Sequence, residues 1–219
     1  TLWAVNLYQR ALISVDISGP VASLPGTVRQ YPLSGLNGIP ACAGGVFRPF
    51  ALSFHDGLGY LGGVCSAEVS KNRADLTAHI LSFNPSNVAA GFANTLSFSL
   101  NTTRERAIGN LAATWNGWQI SLADYTTFVD TPQHHVSEVV TFPQPVLSNI
   151  EFDGDGSLNI GFMDRAGDQF GFNQRAPVAA VIASVSVVAE GDMIKACLVN
   201  GVYALEGSAN CPVGDNVIA

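Results

Sequence analysis

Residues 143–172 (PQPVLSNIEFDGDGSLNIGFMDRAGDQFGF) constrain the fold most. Val146, Ile150 and Phe152 lead into Asp153-Gly154-Asp155-Gly156, and Leu158, Ile160 and Phe162 then alternate with small or polar residues. Alternation with a period of two marks a half-buried strand. Asp-Gly suits a tight hairpin because glycine takes positive φ at low cost. Asp164-Arg165-Ala166-Gly167 reads as a second turn, with a third strand starting at Gln169. The expected unit is an antiparallel meander.

The rest of the chain has the composition of such units. Of 219 residues, 47% are hydrophobic and 12% charged, with 22 Gly and 11 Pro. A charged share well under the typical value of roughly 25%, with many Val, Thr, Ser and Phe, favours an all-β fold with frequent turns. The net charge of −7 and the absence of any Lys/Arg run argue against nucleic acid and against an anionic membrane surface. No apolar run reaches the roughly 18 residues of a membrane-spanning helix. The longest apolar stretch, residues 178–189, is rich in β-branched residues and reads as a buried strand.

Cys42, Cys65, Cys197 and Cys211 fall into two sequence-local pairs without a CxxC. Two local disulfides fit this spacing, and they imply an oxidising compartment. The start at Thr1 implies a processed chain or a piece of a longer one. Asn101-Thr102-Thr103 is the single glycosylation sequon, with Asn101 its acceptor.

In chain order, residues 2–8 and 11–17 form a hairpin, and 27–31 a third strand. Strands at 48–54, 58–65, 75–83 and 95–100 follow, within the period of roughly 40 to 50 residues of a propeller blade. Residues 102–142 form a long insertion with one short strand at 118–122. After the opening meander come strands at 178–189, 192–198 and 202–206, with Asn200-Gly201 turning between the last two. Residues 51–62 resemble residues 148–161: each has a proline-containing entry, a strand ending in Phe, an Asp-Gly turn and a strand ending in Gly. Recurrence of a strand–turn–strand unit suggests propeller blades. The expected fold is a single domain over 1–219, a propeller-like array of about three four-stranded antiparallel blades at about 1–31, 48–101 and 143–211. Three blades cannot close a ring, so the array is partial or open.

The strings LWAVNLYQRALISVDIS, CAGGVFRPFALSFHDGLGYLGGVCSAEVSKNRADLTAHILSFNP, PQPVLSNIEFDGDGSLNIGFMDRAGDQ and EGDMIKACLVNGVYALEGSANC span most of the chain in order. Together they resemble bacterial cell-surface proteins that carry a β-propeller-like module near serine-aspartate-repeat B-like domains. The resemblance implies secretion, a surface role and no enzymatic activity. The chain departs from that family in being shorter than its propeller regions, and its 101–142 segment matches only around Trp115 to Trp118.

Several groups invite a chemical reading. Asp153 and Asp155, with Asp164 and Asp168 downstream, offer oxygen ligands for calcium, but the EF-hand spacing is missing. Bonding of the Asp side chains to their own turn backbone is the plainer account. His134, His135 and Glu138 contain zinc-type ligands, but adjacent residues of an extended segment point opposite ways. His55-Asp56 lacks a GxSxG partner, and Glu68, Asp75, Glu138 and Glu151 cannot be paired into a glycosidase site by sequence. Trp115 and Trp118, with Tyr125 and Phe128, could stack on sugar rings or else cover a blade.

No catalytic residue, metal or cofactor is therefore assigned. The expected function is a non-enzymatic extracellular structural or adhesive protein of a bacterial surface, a subunit of a filament or layer. Its partners would be copies of itself or other surface proteins, assembled through open sheet edges. The alternative is a glycan- or ligand-binding module using Trp115 and Trp118, and a secreted hydrolase or lyase comes third.

Overall fold

The computed structural model describes residues 1–102, 114–120, 135–136, 139–140, 142–173, 186–189 and 191–212. These residues form an all-β molecule whose main body is three antiparallel sheets. The first contains β1 (Leu2–Asn6), β2 (Ala11–Val15) and β3 (Val28–Pro32) in that order. The second is a four-stranded meander of β4 (Phe47–His55), β5 (Leu58–Cys65), β6 (Thr77–Phe83) and β7 (Phe92–Ser99). A small sheet places β8 (His135–Val136) beside β9 (Val139–Val140), which pairs in parallel with β12 (Ser186–Val187). The third large sheet orders β10 (Pro145–Phe152), β11 (Leu158–Asp164), β13 (Asp192–Val199) and β14 (Val202–Leu205).

Turn chemistry sets the hairpins. Asp56 (φ 49°) and Gly57 (φ 78°) both sit in the left-handed region between β4 and β5, as do Asn200 (φ 53°) and Gly201 (φ 79°) between β13 and β14. Two such residues in succession make the type I′ turn, whose twist matches that of paired strands. The repeat seen in the sequence has a structural counterpart. The first strand of each hairpin slips register at the same place, between Pro49 and Ala51 in β4 and between Leu147 and Asn149 in β10. Ala51 then faces Gly62, and Asn149 faces Gly161.

The second sheet is packed on both faces, which explains why residues 59–65 of β5 are all buried. On one face Leu61, Leu81, Phe83 and Phe92 meet Leu12 and the half-buried Trp3 and Tyr31 of the first sheet. On the other, Ala51, Tyr60, Val64, Ala78, Ile80 and Leu96 meet Val146, Leu147, Ile150, Leu158, Ile160 and Phe162 of the third. Gly62 lies at that second contact: a Cβ there would stand 2.6 Å from Leu147 Cδ2 and 2.9 Å from Ile150 Cδ1. The sheets stack in chain order, with β1 against β4 and β10 against β4 and β5.

Four expectations change. Among the described residues the first sheet has three strands, not four. Residues 165–172 are not a turn and strand, because Arg165–Phe170 forms helix α1. Asp164 caps it, its Oδ1 accepting from Ala166 N at 2.9 Å and so satisfying an otherwise orphaned first-turn donor. The third strand of that sheet is β13, more than twenty residues on. Residues 118–120 form no strand, and the rest of the expected strand at 118–122 lies outside the described residues. Of the expected strand at 178–189, only Ser186–Val187 is strand among the described residues.

Candidate functional site

The densest polar cluster lies where β4 and β10 begin, remote from the hairpin turns. Residues 114–120 cross this end as a strap between the second and third sheets. Asn116 N donates to Pro143 O at 2.8 Å, and Trp118 N to Ser66 O at 3.0 Å. Lys71 Nζ donates to Trp118 O at 2.7 Å and Arg73 Nε to Trp115 O at 3.0 Å. Gly117 is required by close approach, since a Cβ would stand 2.7 Å from Ala67 O.

The Trp118 indole is the centre of the cluster. Its Nε1 donates to Pro145 O at 2.8 Å. The Arg48 guanidinium carbon lies 5.4 Å from the ring centroid and that of Arg165 lies 4.8 Å away. Both distances are within cation–π reach, of roughly 6 Å. Arg48 comes from the second sheet and Arg165 from the first residue of α1, so one ring holds a cation from each side of the sheet–sheet junction.

Neither arginine is spare. Arg48 grips Glu68 with Nε–Oε2 at 3.0 Å and Nη2–Oε1 at 2.8 Å, and Ser66 Oγ donates to Glu68 Oε2 at 2.9 Å. Glu68 is buried, and a charge can be buried when its partners are charge-assisted and bidentate. Arg165 Nη1 donates to Gln119 O at 3.0 Å and Gln144 Oε1 at 2.7 Å. Gln144 Oε1 also accepts from Gln119 N at 2.9 Å, and Gln144 N donates to Asp164 Oδ1 at 3.0 Å. The arrangement locks the strap, the second sheet and α1 together. Arg48 and Glu68 form an ion pair, while Arg165, Lys71 and Arg73 donate to carbonyl and amide oxygens.

Trp115 is 0% and Trp118 3% exposed. The sequence offered them as a ligand-binding pair, and the structure buries both rings. Trp115 packs on Phe162 at 6.0 Å between centroids, and Trp118 is covered by arginines, so neither offers a free ring face to a sugar. Tyr125 and Phe128 lie outside the described residues.

At the hairpin end, His55 stacks on Phe152 with centroids 4.1 Å apart, and its Nε2 is 3.3 Å from Asp56 Oδ2. Tyr60 packs against the same Phe152 ring at 4.7 Å. Burial, then the Asp56 charge, raises the Tyr60 pKa, and burial, then Tyr60, raises that of Tyr203. Asp153 Oδ2 takes Lys195 Nζ at 2.9 Å and Asp153 Oδ1 takes Asn159 Nδ2 at 2.8 Å. Asp155 Oδ1 accepts from Ser157 N at 2.9 Å, which lowers its pKa. The two calcium candidates are thus engaged with their own hairpin and with β13. Among the described residues no three His, Cys, Asp or Glu side chains are placed to hold a metal ion. His134 and Glu138 lie outside the described residues, and His135 begins β8.

Both disulfides form: Cys42 joins Cys65 and Cys197 joins Cys211, across 23 and 14 residues. The first ties the loop before β4 to β5, and the second closes β13 and β14. Asn101 is exposed just beyond β7, and Thr103 of its sequon lies outside the described residues. No helix among the described residues is long and apolar enough to cross a membrane.

No family model and no solved structure matches the chain. Three proteins of Dictyostelium discoideum do resemble it in sequence. Colossin-A is 31% identical over 75% of the chain, Colossin-B 26% over 100% and Colossin-C 25% over 96%. The chain spans only 1%, 5% and 18% of the lengths of these relatives. All three come from a eukaryote, so they lend nothing to the bacterial source implied by the resemblance noted above.

Proposed function

We propose that the chain is a non-enzymatic structural module of an extracellular protein, a stack of propeller-like blades that joins neighbouring material rather than transforming a substrate. One observation carries this reading: the aromatic, arginine and carboxylate side chains best suited to chemistry are turned inward, where Arg48, Glu68, Trp118 and Arg165 lock two sheets to one strap. The two disulfides and the all-β body fit an extracellular setting. Similarity to short portions of three much longer proteins supports a module within a larger assembly. Partners would be surface proteins of the same matrix or layer.

Fractionation of the source cells tests the reading. The native protein is expected outside the cell, in assemblies that resist salt and yield to denaturant. Recovery as a free monomer in the medium, or turnover of a polysaccharide or peptide by the purified protein, would contradict it.

A further inference from the structure

An open pocket of about 280 Å³ lies beside the first disulfide, where the turn between β1 and β2 meets the loop that leads into β4. Its size is close to the lower end of small-molecule sites, roughly 300 Å³. Leu33, Leu36, Ile39 and Phe47 supply apolar wall, and Cys42 lines it beside them. Arg10 is the one charged side chain among the described residues around it. The Arg10 carbonyl accepts from Leu33 N at 3.0 Å, which holds the turn to the pocket wall.

The two sulfurs of the Cys42–Cys65 bridge stand in different surroundings. Cys42 is half-buried and lines the pocket, whereas Cys65 is 2% exposed and does not line it. Beside Cys65 stands His79, whose Nε2 is 3.6 Å from Cys65 Sγ and 2.9 Å from Thr77 Oγ1. A nucleophile entering from solvent therefore meets Cys42 Sγ, and the sulfur it displaces lies next to a ring nitrogen. Thiol–disulfide exchange has this form: a thiolate attacks one sulfur, and the other departs faster the better its charge is stabilised. A hydrogen bond from a His79 Nε2–H to the departing thiolate favours the charged form.

Opening the bridge leaves the surrounding strands held. Cys65 remains paired with Phe47 on one side and Thr77 on the other. The loop that carries Cys42 is pinned on both sides by main-chain bonds. Phe92 N donates to Asn37 O at 2.9 Å, and Val69 N and Ser70 N donate to Gly44 O at 2.8 and 3.0 Å. The segment released is the short stretch between these pins.

We propose that the Cys42–Cys65 bridge is a thiol-exchange site, which takes a small carboxylate-bearing thiol as a mixed disulfide on Cys42. The incoming thiolate sulfur bonds to Cys42 Sγ as the Cys42–Cys65 bond breaks. The bonding pair leaves on Cys65 Sγ, beside His79. The proton that the attacking thiol gave up to solvent then neutralises Cys65, so no separate oxidant or reductant is consumed. The carboxylate of the bound thiol faces Arg10, a charge-assisted contact that selects for an anionic thiol. The inference goes beyond the structural-module reading and does not rest on it.

Reduced glutathione at millimolar concentration is the probe. The native protein is incubated with it, quenched in acid and alkylated, and the cysteines are mapped by mass spectrometry. Glutathione is expected on Cys42 and the alkylating label on Cys65, with the circular dichroism still native. His79→Phe keeps a ring without its N–H and is expected to slow adduct formation at least tenfold, with exchange at Cys197–Cys211 unaltered. Arg10→Gln is expected to slow the reaction with glutathione at least threefold and that with the uncharged 2-mercaptoethanol less. It carries the test if His79→Phe misfolds. An intact Cys42–Cys65 bridge on the folded protein would overturn the proposal. So would a glutathione adduct on Cys65 in place of Cys42, or equal glutathione rates in the parent and both variants.

Discussion

Glu68 shows how far a single residue depends on its neighbours. Its carboxylate is buried and accepts from both Arg48 and Ser66. Removing one partner of such a pair strands the other charge, so Glu68→Ala is expected to cost about 3 kcal/mol. The double change Arg48→Met with Glu68→Leu removes both charges and is expected to recover most of that loss. A double-mutant cycle in urea measures the coupling.

His79 is expected to set part of the acid sensitivity. Its Nε2 is 2.9 Å from Thr77 Oγ1 and 3.6 Å from Cys65 Sγ, and its ring meets the edge of Phe47. Burial lowers its pKa below the usual 6.5, so the folded protein holds the neutral ring. The unfolded chain takes up the proton first as pH falls. This contribution is therefore intact above 6.5 and is lost as pH drops from there toward the folded pKa. Unfolding of His79→Gln between about pH 7 and pH 5 should show a shallower pH dependence than the parent. An equal or steeper slope would contradict this.

At this scale the sequence showed which residues could bind a ligand but not where they face. Trp115 and Trp118 flank Asn116-Gly117, a polar turn-like context that suits an exposed loop equally well. Trp118 meets Arg48, Pro145 and Arg165, and Trp115 meets Phe162, all distant in sequence. Asp153 and Asp155 were legible as hairpin residues because their partners are mostly local.

Among the elements, strands with alternating apolar residues and strong turn residues were legible. The second sheet follows the sequence closely, and Asn200-Gly201 turns where expected. Helix α1 was missed because Asp-Arg-Ala-Gly suits a turn as well as a capped helix start, and the helical bond from Gly171 N to Gly167 O distinguishes them. The pairing of β11 with β13 was missed because a long connection separates them and local pattern says nothing of it. Gly62 offers a test of element packing. Gly62→Val drives a side chain into Leu147 and Ile150 and is expected to cost about 1–3 kcal/mol. Gly154→Ala, with nothing within 4 Å and no positive φ, is expected to change stability little. Thermal unfolding of the two variants compares them directly.

For the whole molecule, the layered order of sheets follows from a second sheet that is apolar on both faces. Such a sheet must be covered twice, and the chain supplies one cover before it and one after. The repeat foretold similar hairpins; the number of strands in each sheet and the strap that joins two of them depend on contacts between distant segments. The Trp118 strap makes the second and third sheets one cooperative unit, through main-chain bonds to both and an indole in contact with two guanidinium groups. A cooperative unit unfolds in a single transition and loses stability as a whole when its junction is cut.

The account rests on Trp118 being a structural junction and not a ligand platform. Equilibrium urea unfolding of Trp118→Ala tests this most directly. The account predicts a loss of about 3–5 kcal/mol, the usual cost of deleting a buried tryptophan. A stability within about 0.5 kcal/mol of the parent, the range of exposed surface substitutions, would contradict it.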